Sequence, residues 1–302
     1  MDPVTATPLS RWRFPGTLRT YQAEVLERLA PGGAGPLHIV APPGSGKTVL
    51  GLLLAAREGH RTLVLSPTVT IRQQWVRTAG ALAPQAAAVS DDPARIGDLT
   101  ALTYQLLSVT GDGSPFDDLA RSVWVVEELT ASGRVEADAA TWLAELAIDN
   151  PGRYRSGIRT RSRRLRSHFA RRRPAELARV LHPNAVALID RLVAAGVRTV
   201  VLDECHHLLD HWAIVVAYLA GRIRESGVEP LLIGLTATLP SPDDETEFEN
   251  YSQLLGEVDY EVPTPAVVKE GHLAPYRDHV MFTEPRPQRP DSSVVTRPCC
   301  TR

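Results

Sequence analysis

The feature that most constrains the fold of this chain is a glycine-rich loop between two apolar segments. The loop is Ala41-Pro42-Pro43-Gly44-Ser45-Gly46-Lys47-Thr48, with residues 37–40 ahead of it and residues 49–56 behind it. The first segment has the length of a buried strand, and the second is typical of a buried helix. A strand, a glycine-rich loop and a helix together form the context in which backbone N–H groups and a helix N-terminus surround a polyphosphate. The sequence therefore predicts a phosphate-binding α/β domain.

The last two residues of this loop carry the chemical part of the prediction. Lys47 is expected to reach the terminal phosphates, and the Thr48 hydroxyl is expected to ligate Mg²⁺. Lysine occurs only at Lys47 and Lys269 in a chain that otherwise uses arginine, and a compact ammonium suits phosphate. The nucleotide-binding residues predicted from the loop are Pro43, Gly44, Ser45, Gly46, Lys47 and Thr48.

Composition limits the number of domains, the charge of a partner and the cellular location that can be expected. The chain has 302 residues, 43% of them hydrophobic, which is enough for one large domain or two small ones. Its 33 basic and 35 acidic residues nearly balance, so only local clusters can indicate a charged partner. Three cysteines provide no disulfide framework. Because no signal peptide opens the chain and no apolar run is long enough to cross a bilayer, we expect a cytoplasmic protein without a membrane partner.

A later apolar strand, residues 198–202, ends directly in Asp203 and Glu204. This is the expected partner of a phosphate-binding loop: Asp203 would hold Mg²⁺, and Glu204 would orient and deprotonate the attacking water. A metal site is the alternative for the neighbouring side chains, namely Cys205, His206, His207 and His211. Three of those four are consecutive and lack a second ligand pair at zinc-finger spacing, so the sequence favours the magnesium and water roles.

Apolar strands that alternate with helices predict a parallel, doubly wound sheet. The further strands are predicted at residues 61–66, 99–103 and 231–235. Ligands of such sheets sit at the carboxyl ends of the strands, where the sequence places Thr68, Thr103, Thr236 and Thr238. One helix ahead of the loop, Gln22 could read an adenine edge with its amide, whereas the amphipathic pattern of its helix by itself favours a surface glutamine.

Residues 111–197 differ from the rest because amphipathic helices replace the strands. We interpret them as a helical insertion that is acidic in its first part and rich in arginine from residue 153 to 173, including Arg163, Arg164 and Arg166. The arginine run could be a solvated face, could pair with the acidic helices, or could bind a nucleic-acid backbone.

The other regions are expected to be an extended lead-in at 1–17, a short helix at 248–255, a strand at 279–282 and a disordered, proline-rich tail at 284–302.

The ordered motifs resemble the first RecA-like domain of superfamily 2 helicases and translocases, the DEAD/DEAH-box group broadly. The matching residues are Tyr21-Gln22, Ala41 to Thr48, Ser66-Pro67-Thr68 with Gln74-Trp75, Thr103-Tyr104-Gln105, Asp203-Glu204-Cys205-His206 and Thr236-Ala237-Thr238. The segment around Trp75 and the later residues 270–276 resemble the type III restriction ATPase branch, which mostly works on DNA. The resemblance implies a RecA-like P-loop NTPase domain over residues 18–283, which hydrolyses ATP with Mg²⁺ and moves on nucleic acid.

The resemblance also implies individual roles. Gln22 would contact adenine; His206, Thr236 and Thr238 would couple the nucleotide state to movement; Thr68 and Thr103 would face the nucleic-acid backbone. A second RecA-like domain, which the resemblance would place after this one, is missing from the 302 residues, so we expect a truncated form that binds ATP and hydrolyses it slowly. A nucleotide-dependent binding module without catalysis and a ring-forming P-loop ATPase, which would assemble as a hexamer, are the alternatives.

Overall fold

The computed structural model describes residues 8–29, 35–83, 88–107, 115–133, 135–169, 174–179, 181–207, 211–239 and 251–274. The strand expected at 279–282, the tail at 284–302 and the last arginines of the basic run, at 171–173, lie outside these residues. Within the described part, no helix is both long and apolar enough to cross a membrane.

Seven strands form one parallel sheet in the order β3-β4-β2-β5-β6-β1-β7. They are β1 (Leu37–Val40), β2 (Arg61–Ser66), β3 (Val89–Ser90), β4 (Leu99–Thr103), β5 (Val197–Asp203), β6 (Leu231–Thr236) and β7 (Tyr260–Glu261). Each strand pairing in the sheet is parallel. The central strands are apolar along most of their length because both faces are covered, and the predicted parallel, doubly wound sheet is confirmed.

Helices follow the strands along the chain. They are α1 (Thr20–Arg28), α2 (Lys47–Glu58), α3 (Val69–Leu82), α4 (Tyr104–Leu107), α5 (Pro115–Ser132), α6 (Glu136–Asp149), α7 (Pro151–Phe169), α8 (Pro174–Leu177), α9 (Pro183–Ala194), α10 (His211–Glu225) and α11 (Thr264–Lys269). Residues 251–255, within the predicted short helix, are also helical.

Successive residues of the central strands belong to two separate cores. Leu63 and Leu65 of β2 pack with α4, α9 and α10, whereas Val64 between them packs with α1, α2 and α3. This follows from the two-residue period of a strand, which sends neighbouring side chains to opposite faces. Helices α1, α2 and α3 therefore share one face of the sheet, and α2 is the helix that follows the loop at 41–48.

The N-terminal segment differs from the expected extended lead-in. Residues Pro8–Arg11 form a 3-10 helix, and Leu9 and Trp12 are buried in the core that also contains α2. The expectation was wrong for this part because one short turn leaves no periodic pattern in the sequence, although its two large apolar side chains are enough to attach it to the domain.

The predicted helical insertion divides into two parts. Helices α5, α6 and α7 pack on one another around a core of their own, formed by Ala120, Trp124, Leu143 and Ile158. Gly157 permits this packing, because a Cβ at that position would lie 2.0 Å from the Trp124 ring. Helix α9, in contrast, packs in the main core with β5. The separate unit is therefore confined to α5–α7, and α9 is one of the helices that cover the sheet.

Candidate nucleotide-binding site

The predicted motifs meet at one edge of the sheet. The register pairs Val40 of β1 with Thr236 of β6, and Leu235 of β6 with Asp203 of β5. Because parallel strands end on the same side, the loop after β1 and the acidic pair after β5 lie on either side of the end of β6. The structure thus brings the loop at 41–48 together with elements that follow it by more than 150 positions in sequence.

The glycine-rich loop has two backbone positions that favour glycine and one buried serine. Gly44 and Gly46 have φ of +75° and +93°, in the left-handed region that favours glycine. A Cβ at Gly46 would lie 2.8 Å from the amide nitrogen of Gln22, and one at Gly44 would lie 3.0 Å from Leu273. Ser45 is fully buried, and its hydroxyl has no hydrogen-bond partner among the described residues. These features fit a bound polyphosphate, which could accept the unused hydrogen bond.

Two residues at the start of α1, Arg19 and Tyr21, bind the loop through its carbonyl groups. The guanidinium of Arg19 donates to the Gly44 carbonyl at 2.7 Å, and the Tyr21 hydroxyl donates to the Ser45 carbonyl at 2.9 Å. These bonds occupy loop carbonyls, which would repel a phosphate, and so favour a ligand on the N–H side of the loop. Sequence reasoning missed both contacts, since Tyr21 was recognised only as part of a motif.

Gln22 lies beside the loop, but its amide is engaged by the backbone. It is 3% exposed; its oxygen accepts from the Arg19 N–H at 3.0 Å, and its nitrogen donates to the Gly46 carbonyl at 3.1 Å. A surface role is therefore wrong for this residue. In this arrangement Gln22 positions the loop, and contact with adenine stays a prediction.

Lys47 is buried at the end of the loop. Its ammonium donates to the Ala41 carbonyl at 2.9 Å and lies 3.6 Å from a carboxylate oxygen of Glu204. The first residue of α2 therefore faces the residue that follows β5. A cation that bridges the loop and an acidic side chain is placed to meet the negative charge of a phosphate there.

Asp203, the last residue of β5, is held from two sides. One of its carboxylate oxygens accepts from the Trp75 indole N–H at 2.5 Å, and the other accepts from the Glu204 backbone N–H at 3.1 Å. Burial raises the pKa of Asp203 to about 6, while the bond from Trp75 acts in the opposite direction. Tyr104, stacked on Trp212, donates its hydroxyl to the Asp203 carbonyl at 3.1 Å.

Glu204 has φ of +49°, the one positive φ at a non-glycine residue in the described chain. Such a backbone costs about 1–3 kcal/mol and persists where the surroundings impose it. Here it directs the carboxylate towards Lys47 on one side and towards His206, at 3.4 Å, on the other. The strain therefore accompanies a side chain that faces the end of the loop at 41–48.

His206 joins the ends of β5 and β6. Its Nδ1 lies 2.8 Å from the Thr236 hydroxyl, which in turn donates to the Thr238 carbonyl at 2.7 Å. Since the hydroxyl has one proton and uses it on Thr238, Nδ1 of His206 carries the proton in this contact. The three residues predicted to couple the nucleotide to movement thus form one hydrogen-bonded chain that reaches Glu204.

The alternative of a metal site at the cysteine and histidines gains no support. Cys205 is fully buried, and burial raises the pKa of its thiol to about 12. Its sulfur lies 3.3 Å from the Tyr251 hydroxyl, which also contacts His38 at 2.6 Å. In the described part of the chain no group of three or more histidine, cysteine, aspartate or glutamate residues could hold a metal ion. Cys205 is therefore a core residue, while the side chains of His207 and His211 lie outside the described set. Mg²⁺ ligation by the oxygens of Thr48 and Asp203 stays a prediction.

The residues predicted to face nucleic acid differ in accessibility. Thr68 is exposed and caps α3, because its hydroxyl accepts from the Ile71 N–H at 3.3 Å. Thr103 is 6% exposed, which leaves little surface for direct contact with a ligand. Beside it, the exposed Gln105 donates to the Pro67 carbonyl at 3.1 Å. Thr68 and Gln105 are therefore accessible polar side chains at this strand end, whereas Thr103 is not.

The arginines of α7 differ in how far they pair with the acidic helix α5. Arg161 pairs with Glu127 of α5 at 2.5 Å and lies 4.0 Å from the centre of the Trp124 ring. Arg164 approaches the same glutamate at 3.9 Å, and Arg163 is exposed. The side chain of Arg166 lies outside the described set. Pairing with the acidic helices, one of the open alternatives, thus accounts for Arg161 and leaves exposed arginines on the same helix.

Comparisons with known proteins agree with the motifs. Residues 16–105 match the model of the family described as Type III restriction enzyme, res subunit. A Halobacterium salinarum protein named as a DNA 3'-5' helicase Rad25 is 31% identical over 116 residues, which cover 37% of this chain and 19% of the relative. Its namesake from Haloarcula marismortui is 43% identical over 58 residues, or 19% and 9% of the two chains. The Hef helicase domain of Pyrococcus furiosus superposes with a TM-score of 0.46 and 17% identity, over 83% of this chain and 40% of that one.

The predicted resemblance to superfamily 2 helicases and to the type III restriction branch is confirmed. The matched segments span only 19% and 9% of the lengths of the two relatives. The segment that matches the family model contains the loop at 41–48 together with Thr68 and Thr103, whereas Asp203 and Thr236 lie beyond it. The similarity in sequence therefore supports the prediction made for the loop at 41–48. The prediction made for Asp203 and Glu204 depends on their position beside that loop in the structure.

Proposed function

We propose that this chain is the ATP-binding domain of a superfamily 2 helicase or translocase, in which ATP hydrolysis with Mg²⁺ drives movement on nucleic acid, with DNA as the favoured substrate. The observation that carries the proposal is the convergence of Lys47, Asp203 and Glu204 at one sheet edge, with 3.6 Å between the Lys47 ammonium and the Glu204 carboxylate. An isolated phosphate-binding loop would lack the acidic partners that hydrolysis needs.

The side chains divide the reaction between them. The loop N–H groups and Lys47 bind the phosphates, while Thr48 and Asp203 hold the magnesium ion, which neutralises charge on the phosphate oxygens. Glu204 orients the attacking water and accepts its proton. His206, already hydrogen-bonded to Thr236, passes a change at Glu204 to the end of β6. This chain of contacts supports the proposed coupling between nucleotide and movement.

A second RecA-like domain, in the same polypeptide or in another, is the proposed partner at this edge. Pro43 and Gly44 are exposed, so the loop has an open side against which such a domain can pack. In other enzymes that transfer phosphoryl groups, an arginine supplied by a partner raises the hydrolysis rate about 10³–10⁵-fold. We therefore expect the 302-residue chain to bind ATP and to hydrolyse it slowly.

An ATPase assay with and without DNA tests the proposal. We expect slow phosphate release that DNA accelerates and that requires Lys47, because the described residues supply the binding loop and both acids. ATP binding without any phosphate release above the buffer rate, even with DNA, would instead indicate a binding module that lacks catalysis. Fast turnover by the purified monomer would show that a second domain is not needed.

The arginines of α7 are proposed to bind the nucleic-acid backbone. Replacing Arg163, Arg164 and Arg166 together by alanine should weaken DNA binding and flatten the slope of log affinity against log salt concentration. The slope should change by about one unit for each DNA phosphate that an arginine neutralises in the wild type. The change should be independent of DNA sequence, since arginines that bind phosphates do not read bases. Fluorescence anisotropy with labelled duplexes at several salt concentrations measures both quantities.

Replacement of the same three residues by lysine is the matched control, because it keeps the charges and should keep most of the slope. An unchanged slope and affinity in the triple alanine variant would show that these arginines form a solvated or internally paired face, as Arg161 does.

A further inference from the structure

We propose that Trp75 is a positioning residue for the magnesium site, an inference that rests on the proposed function. Its indole N–H donates to a carboxylate oxygen of Asp203 at 2.5 Å, and both side chains are buried. The N–H of tryptophan can only donate, so this contact holds one carboxylate oxygen in place. The Glu204 backbone N–H holds the other, at 3.1 Å.

Trp75 also touches the phosphate-binding loop's own helix. A Cβ at Gly51 of α2 would lie 2.8 Å from the far end of the indole ring. Glycine at this position therefore lets the ring lie flush against α2 while its N–H reaches β5. The indole spans the two elements that supply Thr48 and Asp203, so its packing sets the distance between the proposed magnesium ligands.

The position of Trp75 on α3 also connects Asp203 with the strand end at Thr68. Helix α3 begins directly after Thr68, which caps it at the strand end that the motifs place towards nucleic acid. Trp75 is on the second turn of that helix. The residue that orients Asp203 is thus carried by the same rigid element as the exposed Thr68. A partner of an ionised ligand normally affects metal affinity by about 10–100-fold when it is removed.

The test compares the Mg²⁺ dependence of nucleotide binding in the wild type and in Trp75→Phe. Phenylalanine keeps an aromatic ring and loses the N–H. The probe is a fluorescent ATP analogue titrated at fixed concentration with Mg²⁺. We expect the Mg²⁺ concentration for half-maximal binding to rise about 10–100-fold, while binding of the analogue in EDTA is unchanged. Trp124→Phe, the same change in the core of α5–α7, is the control and should leave the Mg²⁺ dependence as in the wild type.

A merely structural role would lower the unfolding temperature without moving the Mg²⁺ midpoint, and that result would overturn the inference. If Trp75→Phe does not fold, site-specific replacement of Trp75 by benzothienylalanine keeps the shape of the indole and substitutes sulfur for the N–H. An unchanged midpoint in that variant would equally overturn it. Failure of the wild type to bind the analogue at all would count against the proposed function, which separates the two cases.

Discussion

Replacement of Lys47 by alanine is expected to weaken ATP binding by a factor between about 30 and about 4,000. Truncating one member of a buried, charge-assisted contact typically costs about 2–5 kcal/mol, and a tenfold change in affinity corresponds to about 1.4 kcal/mol. Lys47 is 8% exposed and holds the loop through the Ala41 carbonyl. Its removal takes away both the charge that meets phosphate and a bond that shapes the loop.

Lys269→Ala is the matched control for this experiment. It removes the other lysine of the chain, which is exposed on α11, and should leave ATP affinity unchanged. Equilibrium binding of a fluorescent ATP analogue measures both variants, and circular dichroism verifies that each is folded. Equal affinities for the wild type and Lys47→Ala would contradict the assignment of the loop.

Replacement of Glu204 by glutamine is expected to preserve ATP binding and to lower hydrolysis by about 10²–10⁴-fold. This range is the contribution of a general base to a reaction rate. Glutamine has the size of glutamate and keeps an oxygen that can face Lys47 and His206, but it cannot accept the proton of water at neutral pH. The effect should therefore fall on the chemical step alone.

A single-turnover assay with radiolabelled ATP detects this decrease even if the wild type is slow. Glu225→Gln provides the control, because Glu225 pairs with Arg222 at the C-terminal end of α10. This helix leads into the start of β6, at the opposite end of the strands from the site. The Glu225→Gln variant should hydrolyse ATP at the rate of the wild type. Wild-type turnover in Glu204→Gln would show that another group activates the water.

The sequence was sufficient for the main strands and for the edge at which the site lies. Each predicted strand is a short apolar run, and each ends at or just before residues of a predicted motif, as β5 does at Asp203. Parallel pairing then forces these strand ends together. Local pattern and general topology therefore predicted that Lys47 and Glu204 would meet.

The contacts that shape the site could not be predicted in this way. Trp75 and Asp203 are 128 positions apart, and nothing in either local pattern indicates that an indole will reach that carboxylate. The bonds from Arg19 and Tyr21 to the loop likewise join separate elements. Such pairs depend on how helices pack across a sheet, which periodicity does not specify.

The accessibility of individual side chains was also beyond the sequence. Gln22 and Thr103 both follow patterns typical of a surface or strand-end residue, yet both are buried. Their burial depends on neighbours distant in the chain, such as Gly46 for Gln22. The motifs placed these two residues near the site but did not indicate that they are buried. Their contacts with a ligand stay a prediction.

Calorimetric titration of ATP into the purified wild-type chain, once with Mg²⁺ and once with EDTA, tests the central claim most directly. The account predicts one site per chain and tighter binding with Mg²⁺, because the loop at 41–48 binds phosphate while Thr48 and Asp203 hold the metal. Absence of binding in both titrations, or binding of equal strength with and without the metal, would contradict the assignment of this sheet edge as a nucleotide site.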